Sequence, residues 1–424
     1  MAEAQVVRLY PPCRAACPAH VNVQGYVSLL QKGKFKEAVE LIRTEMPFPA
    51  ICGRVCFAPC EKACARKNVD QAVAIRSLKR IIADVEREQG RVKGQPIPRL
   101  SDKKIAIIGA GPAGLTTACE LVRLGYPVTV FERAHEAGGM VRHRIPDSLL
   151  EKFVVTNEIA YIQDLGVDIK YGVEFGKEIT LDSLRKDGYE AVFLGVGKIS
   201  ETSLPGEILG NKPTQTIPVD PVTLETSIQG VFAGGDAIKD KPVGIIAATG
   251  AGKTAALSIH RYLNGQDLKA GTETIEETTW VKDWESLAKK PTRQLVKKGE
   301  AKPKIGFEEA EKALEEIKRK ARFEAFRCLG CGPCAECLVN VRLCKIDKPV
   351  IDEASCSGCG TCITLCPYGA LSKNEKGIAQ VDVNICKGCG ICVAHCPENA
   401  IKTERLTNEQ IVNCAVVAAG GQVQ

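Results

Sequence analysis

Residues 103–133 read KKIAIIGAGPAGLTTACELVRLGYPVTVFER. An apolar run, a glycine-rich turn, a helical pattern and a second apolar run follow one another, which is the strand–helix–strand unit that builds parallel sheets. Gly109 permits the tight turn, Gly111 lets the backbone approach a pyrophosphate, and Gly114 lets helix and strand pack closely with the helix N-terminus facing the phosphates. Glu132 ends the second strand, where a carboxylate can reach a ribose hydroxyl. The glycines alone would be weak, but with both strands and the acid they predict a dinucleotide site, which at this point could be for NAD or FAD. GVDIKYG, AVFLGVG and GVFAGGD supply further short strands and AATGAGKTAALSIHRYLNG a closing helix, so residues 96–265 are expected to form one Rossmann-like domain. GAGKT at 250–254 suggests a phosphate loop, but that motif needs a glycine where Ala247 stands, and triphosphate binding is rejected.

The rest of the composition fits a folded chain. Its 424 residues are 45% hydrophobic and 25% charged, long enough for two or three cores. The net charge of +6, from 57 basic and 51 acidic residues, is spread along the chain and too weak to imply nucleic acid. No apolar stretch approaches the ~20 residues of a membrane span. The start, MAEAQVVRLYPPC, lacks a charged region followed by an apolar one, so no export signal is expected. A cytoplasmic protein bound to neither membrane nor nucleic acid is the expectation.

The 21 cysteines are the loudest feature, gathered in three clusters with only Cys119 in the middle of the chain. Disulfide scaffolds suit small exported chains, and neighbouring CxxC loops resist bridging. Metal or cluster ligation is therefore favoured. CSGCGTCITLCP at 356–367 and CKGCGICVAHCP at 386–397 are two copies of C-x2-C-x2-C-x3-C-P. Each run wraps three thiolates around one cubane and lends its fourth cysteine to the other. One cluster should take Cys356, Cys359, Cys362 and Cys396, the other Cys386, Cys389, Cys392 and Cys366. Zinc fits poorly, because sulfur-only zinc sites use two separated pairs of thiols. Residues 350–403 resemble bacterial two-cluster ferredoxins.

Two further motifs, AHEAGGM at 134–140 and GVFAGGDA at 230–237, resemble the two-motif flavoproteins. The likeness is to the FAD domain of the glutamate synthase small subunit and its relatives, including the flavin portion of dihydropyrimidine dehydrogenase. It implies FAD, with Asp236 at the ribityl and phosphate end and Arg133, Gly139, Val173, Gly235 and Ala237 around the cofactor. The likeness runs into PPCRAACPAHVNVQGYV, KGKFKEAVELIRTEMPFPAICGRVCFAPCEKACAR and VAIRSLKRIIAD, which are similar to that family's helical domain with two 4Fe-4S clusters. By position it implies that Cys13 and Cys64 serve one cluster and Cys17, Cys56 and Cys60 the other.

This sequence departs from the family in three places. The CxxC upstream of Cys13 is absent; EAFRCLGC at 324–331 looks like the missing element, so Cys328 and Cys331 are hypothesised to fold back and complete the first cluster. Alternatively, with Cys334, Cys337 and Cys344, they build a cluster of their own, and the sequence leaves both readings open. A non-cysteine ligand of some relatives aligns near Lys79, whose ammonium cannot ligate iron, and Cys52 is the nearest substitute. Finally, only about thirty residues separate GVGK at 195–198 from GVFAGGD, too few for the family's second, NAD(P)H-binding unit.

The expected fold class is multidomain α/β. Residues 1–95 form an α-helical Fe-S cap, 96–265 one Rossmann-like FAD domain, 266–327 a charged helical connector with Phe307, Ala310, Leu314 and Ile317 on one stripe, and 328–424 an α+β two-cluster ferredoxin domain. Cys119 and Cys414 read as buried hydrophobes, and His395 is placed to tune a neighbouring cluster. No organic catalytic constellation is visible. The resemblance implies an FAD and 4Fe-4S electron-transfer subunit of a multi-subunit oxidoreductase, exchanging electrons between partner clusters and NAD, for a 2-oxoacid dehydrogenase of the phenylglyoxylate type. Thiamine-dependent and ferredoxin-like subunits are the partners expected. The alternatives are a stand-alone glutamate-synthase-type NAD(P)H reductase and a pure relay or scaffold.

Overall fold

The computed structural model describes residues 7–88, 90, 93–199, 204, 206, 208–209, 216–238, 244–269, 274–277, 307–329, 331, 349–366, 370–382, 391–394, 396–398 and 400–403. The chain divides into two compact units, Met1–Cys331 and Gly332–Gln424, which puts Cys328 and Cys331 in the first.

That unit opens with helices Val23–Gln31 (α1), Phe35–Glu45 (α2), Pro49–Val55 (α3) and Ile75–Glu88 (α4). The Asn22 side chain starts α1 by accepting a hydrogen bond from the Gly25 amide at 3.0 Å, satisfying one of the amides a helix start leaves unpaired. Ile75, Leu78, Ile82 and Val85 of α4 are buried at three- and four-residue steps, the stripe of a helix with one face in the core. Lys79 lies on the same buried stripe. Arg43 and Glu86 pair through both carboxylate oxygens between α2 and α4, a bidentate geometry that fixes orientation as well as charge.

A five-stranded sheet follows, with strands Lys104–Ile108 (β1), Val128–Glu132 (β2), Asp168–Tyr171 (β3), Tyr189–Leu194 (β4) and Val231–Ala233 (β5). All pairings are parallel, in the order β3-β2-β1-β4-β5, with Ile107 opposite both Val130 and Phe193. The four residues Ile105 to Ile108 are buried on both faces, as a central parallel strand demands. Strand order reverses direction between β1 and β4, so a crevice opens at their carboxyl ends.

Helices Pro112–Arg123 (α5), Lys152–Asp164 (α6) and Gly244–Leu263 (α7) flank the sheet. The Thr117 hydroxyl donates to the Gly252 carbonyl at 3.2 Å. A Cβ on Gly252 would lie 2.6 Å from the Ala113 oxygen, and one on Gly250 2.4 Å from the Pro18 oxygen. The glycines of GAGKT thus serve close packing within a helix rather than a phosphate loop. Among the described residues between β4 and β5 no further strand is formed, and Leu204, Ile208 and Ile217 pack into the core beside Leu194.

The expected connector helix runs Phe307–Ala325 (α8); Leu314 and Ile317 are half-buried, while the side chains of Phe307 and Ala310 lie outside the described residues. Its end does more than connect. Ala321 and Ala325 are fully buried, and the Gln31 amide donates to the Ala325 carbonyl at 2.8 Å. The strand Val7–Tyr10 also pairs in parallel with Thr274–Glu277, a pairing the sequence did not announce.

In the second unit, Pro349–Ile351 pairs antiparallel with Ile401–Thr403, and Leu371–Lys373 with Ala379–Val381. Short helices Thr361–Leu365 and Ile391–Ala394 complete it, around a small core that includes Cys362, Leu371, Cys392 and Ile401. No helix among the described residues is long and apolar enough to cross a membrane.

Candidate flavin cavity and thiol clusters

A cavity of about 900 Å³ occupies the crevice at the carboxyl ends of β1 and β4. Gly109, Gly111, Glu132, Arg133, Gly139, Val173, Gly235 and Asp236, all expected at the cofactor, line it. Gly114 and Ala237 do not: a Cβ on Gly114 would sit 2.0 Å from the Gly109 oxygen, so this glycine allows the helix to close on the strand, and Ala237 is buried in the core behind the wall. The backbone at Gly111 is open, with no heavy atom within 4 Å of a hypothetical Cβ, which leaves room for a diphosphate at the α5 N-terminus. Glu132 accepts from the Ala110 amide at 2.7 Å and the Ala134 amide at 2.9 Å. Each carboxylate oxygen keeps acceptor capacity for a hydroxyl. The volume and lining fit an FAD.

The helical cap contributes part of the same wall. Val55, Cys56, Phe57 and Arg76 line the cavity, as do Gly244, Ile245 and Ala248 at the start of α7. Neither Phe57 nor Arg76 is marked in the sequence by any motif. The cap is seated by Glu158 of α6, which accepts from the Ala50 and Ile51 amides at 2.6 and 3.0 Å at the start of α3. Burial pushes the Glu158 carboxyl up to about 7, against the opposing pull of those two amides.

Cys17, Cys52, Cys56 and Cys60 are all buried and act together on Lys79. Burial disfavours the Lys79 ammonium, but the negative charge these sulfurs carry as thiolates, Cys52 foremost, outweighs it and holds its pKa above the ordinary value. Burial pushes the Cys60 thiol up to about 12 and Cys52 well up, with Lys79 pulling both the other way. Four soft donors and one cation make a fitting nest for an anionic cluster, whose ligands must be thiolates. Ala58, in the left-handed conformation at φ 51°, donates its amide to the Cys56 sulfur at 3.3 Å, and strain of this kind collects at functional sites.

A second, smaller cavity is lined by Cys13, Cys64, Cys328 and Cys331 among apolar side chains including Val23, Val27, Val73 and Ile75. Burial raises the Cys13 thiol well above its usual range, with Cys328, Cys64, Cys60 and Cys331 adding to the shift. Tyr26 of α1 faces both groups: it is fully buried, and the thiols acting on it are Cys60, Cys13 and Cys17. Among the described residues its hydroxyl has no hydrogen-bond partner, a costly state unless something not made of protein accepts its proton. Among the described residues no three His, Cys, Asp or Glu side chains converge on a single-ion site; a cubane is larger and takes its thiolates at separate corners.

In the second unit one crevice is lined by Cys356, Cys359, Cys362 and Cys396, the four the sequence assigns to one ferredoxin cluster. Thr361 holds the exposed Cys359 thiol below its ordinary range. Cys366 and Cys392 lie at the same small core. Cys334, Cys337, Cys344, Cys386, Cys389, Cys414 and His395 lie outside the described residues. Cys119 is fully buried in α5, as expected of a core residue, and burial pushes its thiol up to about 11.

Comparison with known proteins fits this architecture. Residues 7–91 match the family described as dihydropyrimidine dehydrogenase domain II, 4Fe-4S cluster; 62–252 match pyridine nucleotide-disulphide oxidoreductase; 348–397 match a 4Fe-4S dicluster domain. The chain is a multidomain α/β protein with a helical Fe-S domain, a parallel-sheet dinucleotide domain and a ferredoxin domain, and its cofactors are FAD and 4Fe-4S clusters.

Among particular relatives it is similar to NADPH-Fe(3+) oxidoreductase subunit beta of Geobacter sulfurreducens, 42% identical over 44% of this chain and 28% of that protein. NADP(+)-dependent formate dehydrogenase subunit beta of Moorella thermoacetica is 36% identical over 54% and 37%. The small chain of glutamate synthase from Bacillus subtilis is 38% identical over 45% and 38%, which bears out the resemblance seen in the motifs. The chain thus spans little more than a third, at most, of the length of these relatives.

Proposed function

We propose that this chain is the FAD and 4Fe-4S subunit of a multi-subunit oxidoreductase, passing electrons between partner clusters and NAD. One observation carries the reading: Cys56, one of the four thiols around Lys79, is also part of the wall of the flavin cavity. A cluster ligand in contact with the flavin leaves almost no gap for an electron to cross. When bound, FAD exchanges electrons in pairs and clusters singly, so the chain couples one kind of carrier to the other.

The residues have distinct parts in this. Gly109 and Gly111 expose backbone to the diphosphate, Glu132 orients the ribose, and Asp236 with Gly235 holds the far end. Cys17, Cys52, Cys56 and Cys60 hold one cluster, with Lys79 as a fixed positive charge rather than a ligand. Cys356, Cys359, Cys362 and Cys396 hold a ferredoxin cluster, and Cys366 and Cys392 belong to its twin with Cys386 and Cys389. Two relatives bear names that include "subunit beta", which supports a subunit role. The organic oxidation then falls to partners, for which we favour thiamine-dependent and ferredoxin-like subunits of a 2-oxoacid dehydrogenase. On that reading the chain corresponds to the epsilon subunit of NADH-dependent phenylglyoxylate dehydrogenase, with the ferredoxin unit receiving low-potential electrons.

Anaerobic purification of the tagged chain from its own cells, with identification of what comes with it, tests this. A stable complex with a thiamine-dependent subunit is expected. A chain that purifies alone and whose flavin NADPH reduces within one turnover would instead be a free-standing reductase.

A further inference from the structure

We infer that Cys13, Cys64, Cys328 and Cys331 together hold one 4Fe-4S cluster, a site split between the start and the end of the first unit. The inference deepens the reading of the chain as an iron–sulfur protein and rests on it. Cys328 and Cys331 lie outside both matched cluster segments, 7–91 and 348–397. Nevertheless the four thiols line one small cavity whose other walls are chiefly apolar. No carboxylate or imidazole is among its lining residues, so the donor set is of soft thiolates alone, the set that selects iron–sulfur clusters or zinc.

The approach of Cys328 is built. Arg327, just before it, is 2% exposed. Its guanidinium donates to Glu324 at 2.6 Å, Asp70 at 2.9 Å and the Ala72 carbonyl at 3.2 Å, and also to the Gln71 carbonyl. Glu324 in turn accepts from the Ala74 amide at 2.9 Å. Asp70 also receives Arg66, at 2.5 and 2.8 Å, two residues beyond Cys64. Buried charges cost several kcal/mol unless every partner is in place, so this network specifies one register for α8 and brings Cys328 to Cys64. The amide of Cys328 completes the turn on the Ala325 carbonyl at 3.0 Å.

It follows that cluster loading staples α8 to the helical cap within the first unit. A site whose ligands come from distant parts of the chain gains folding free energy from its metal. It also settles the use of Cys328 and Cys331, which cannot then belong to a separate cluster with Cys334, Cys337 and Cys344.

The test uses the full chain, prepared anaerobically, with iron, acid-labile sulfide, zinc and FAD measured and the dithionite-reduced protein examined by EPR. Cys13→Ala and Cys328→Ala should each lose one cubane's worth of iron and sulfide and the same EPR signal, and keep FAD. The double variant should lose no more than either single one, and Cys119→Ala should lose nothing. Iron unchanged in Cys328→Ala, a different signal lost from that in Cys13→Ala, or zinc in this site would overturn the inference. Should Cys328→Ala fail to fold, Cys13→Ser and Cys328→Ser decide the matter: they must alter one and the same signal, and alteration of different signals refutes the split site. Wild-type protein with no iron or sulfide would instead sink the broader reading.

Discussion

Tyr26→Phe is the most informative single change, because the Tyr26 hydroxyl is fully buried and has no hydrogen-bond partner among the described residues. Burial pushes its hydroxyl pKa well up, and the cap thiols Cys60, Cys13 and Cys17 add to that shift. If the hydroxyl donates to cluster sulfur, that bond is worth roughly 1.5–3 kcal/mol, as hydrogen bonds to charged groups are. The reduced cluster carries one more negative charge, so it gains more than the oxidised one. If the difference is about 1 kcal/mol, the potential of one cap cluster falls by about 40 mV on removal of the hydroxyl, since a tenfold change in a one-electron equilibrium is 59 mV. EPR-monitored redox titration of the full chain reads this directly. An unchanged potential, together with a higher thermal midpoint in Tyr26→Phe, would show that the hydroxyl is merely unsatisfied and that the reasoning is wrong.

Three other outcomes follow from the same geometry. Glu158 titrates near 7 in the folded chain and near 4.3 when unfolded, so the fold holds a proton that the unfolded chain releases. Its stabilising share is full below about pH 4.3 and is lost as pH rises through about 7, at most about 4 kcal/mol; Glu158→Gln should flatten this part of the pH dependence of the thermal midpoint, and an unaltered slope refutes it. Gly111→Val places a side chain in the open space of the flavin cavity and should lower FAD retention about 5- to 150-fold by equilibrium dialysis, an excluded-volume effect of about 1–3 kcal/mol. Arg327→Met strands Glu324, which is 0% exposed, and should destabilise the first unit by about 3–5 kcal/mol, with much of it restored in Arg327→Met with Glu324→Gln; no rescue would mean that the charge pair is not what costs.

Much of this was legible in the chain because each motif is local. The GxGxxG turn needs only its flanking strands, and the ferredoxin runs carry their own ligand spacing. Lys79 was half legible: Ile75, Leu78, Ile82 and Val85 mark the inner face of α4, and Lys79 falls on it. What the helical period does not tell is that four thiols wait there to balance its charge. The wall residues Phe57 and Arg76 were illegible, because they reach the flavin cavity only once Glu158 has seated α3 on α6. The docking of α8 was also hidden. Its stripe was visible through Leu314 and Ile317, but small Ala321 and Ala325, which make the close contact, carry little hydrophobic signal. The pair of arginines at 66 and 327 that share Asp70 is a tertiary arrangement that spacing cannot express.

The central claim is that flavin and clusters form one electron store, and a reductive titration of the anaerobically purified full chain with dithionite tests it most directly. The chain should take up about six electrons, two for the flavin and about one for each of four cubanes, with the flavin bleaching and the EPR signals growing in the same titration. Uptake of two electrons or fewer, or a protein without labile sulfide, would contradict it.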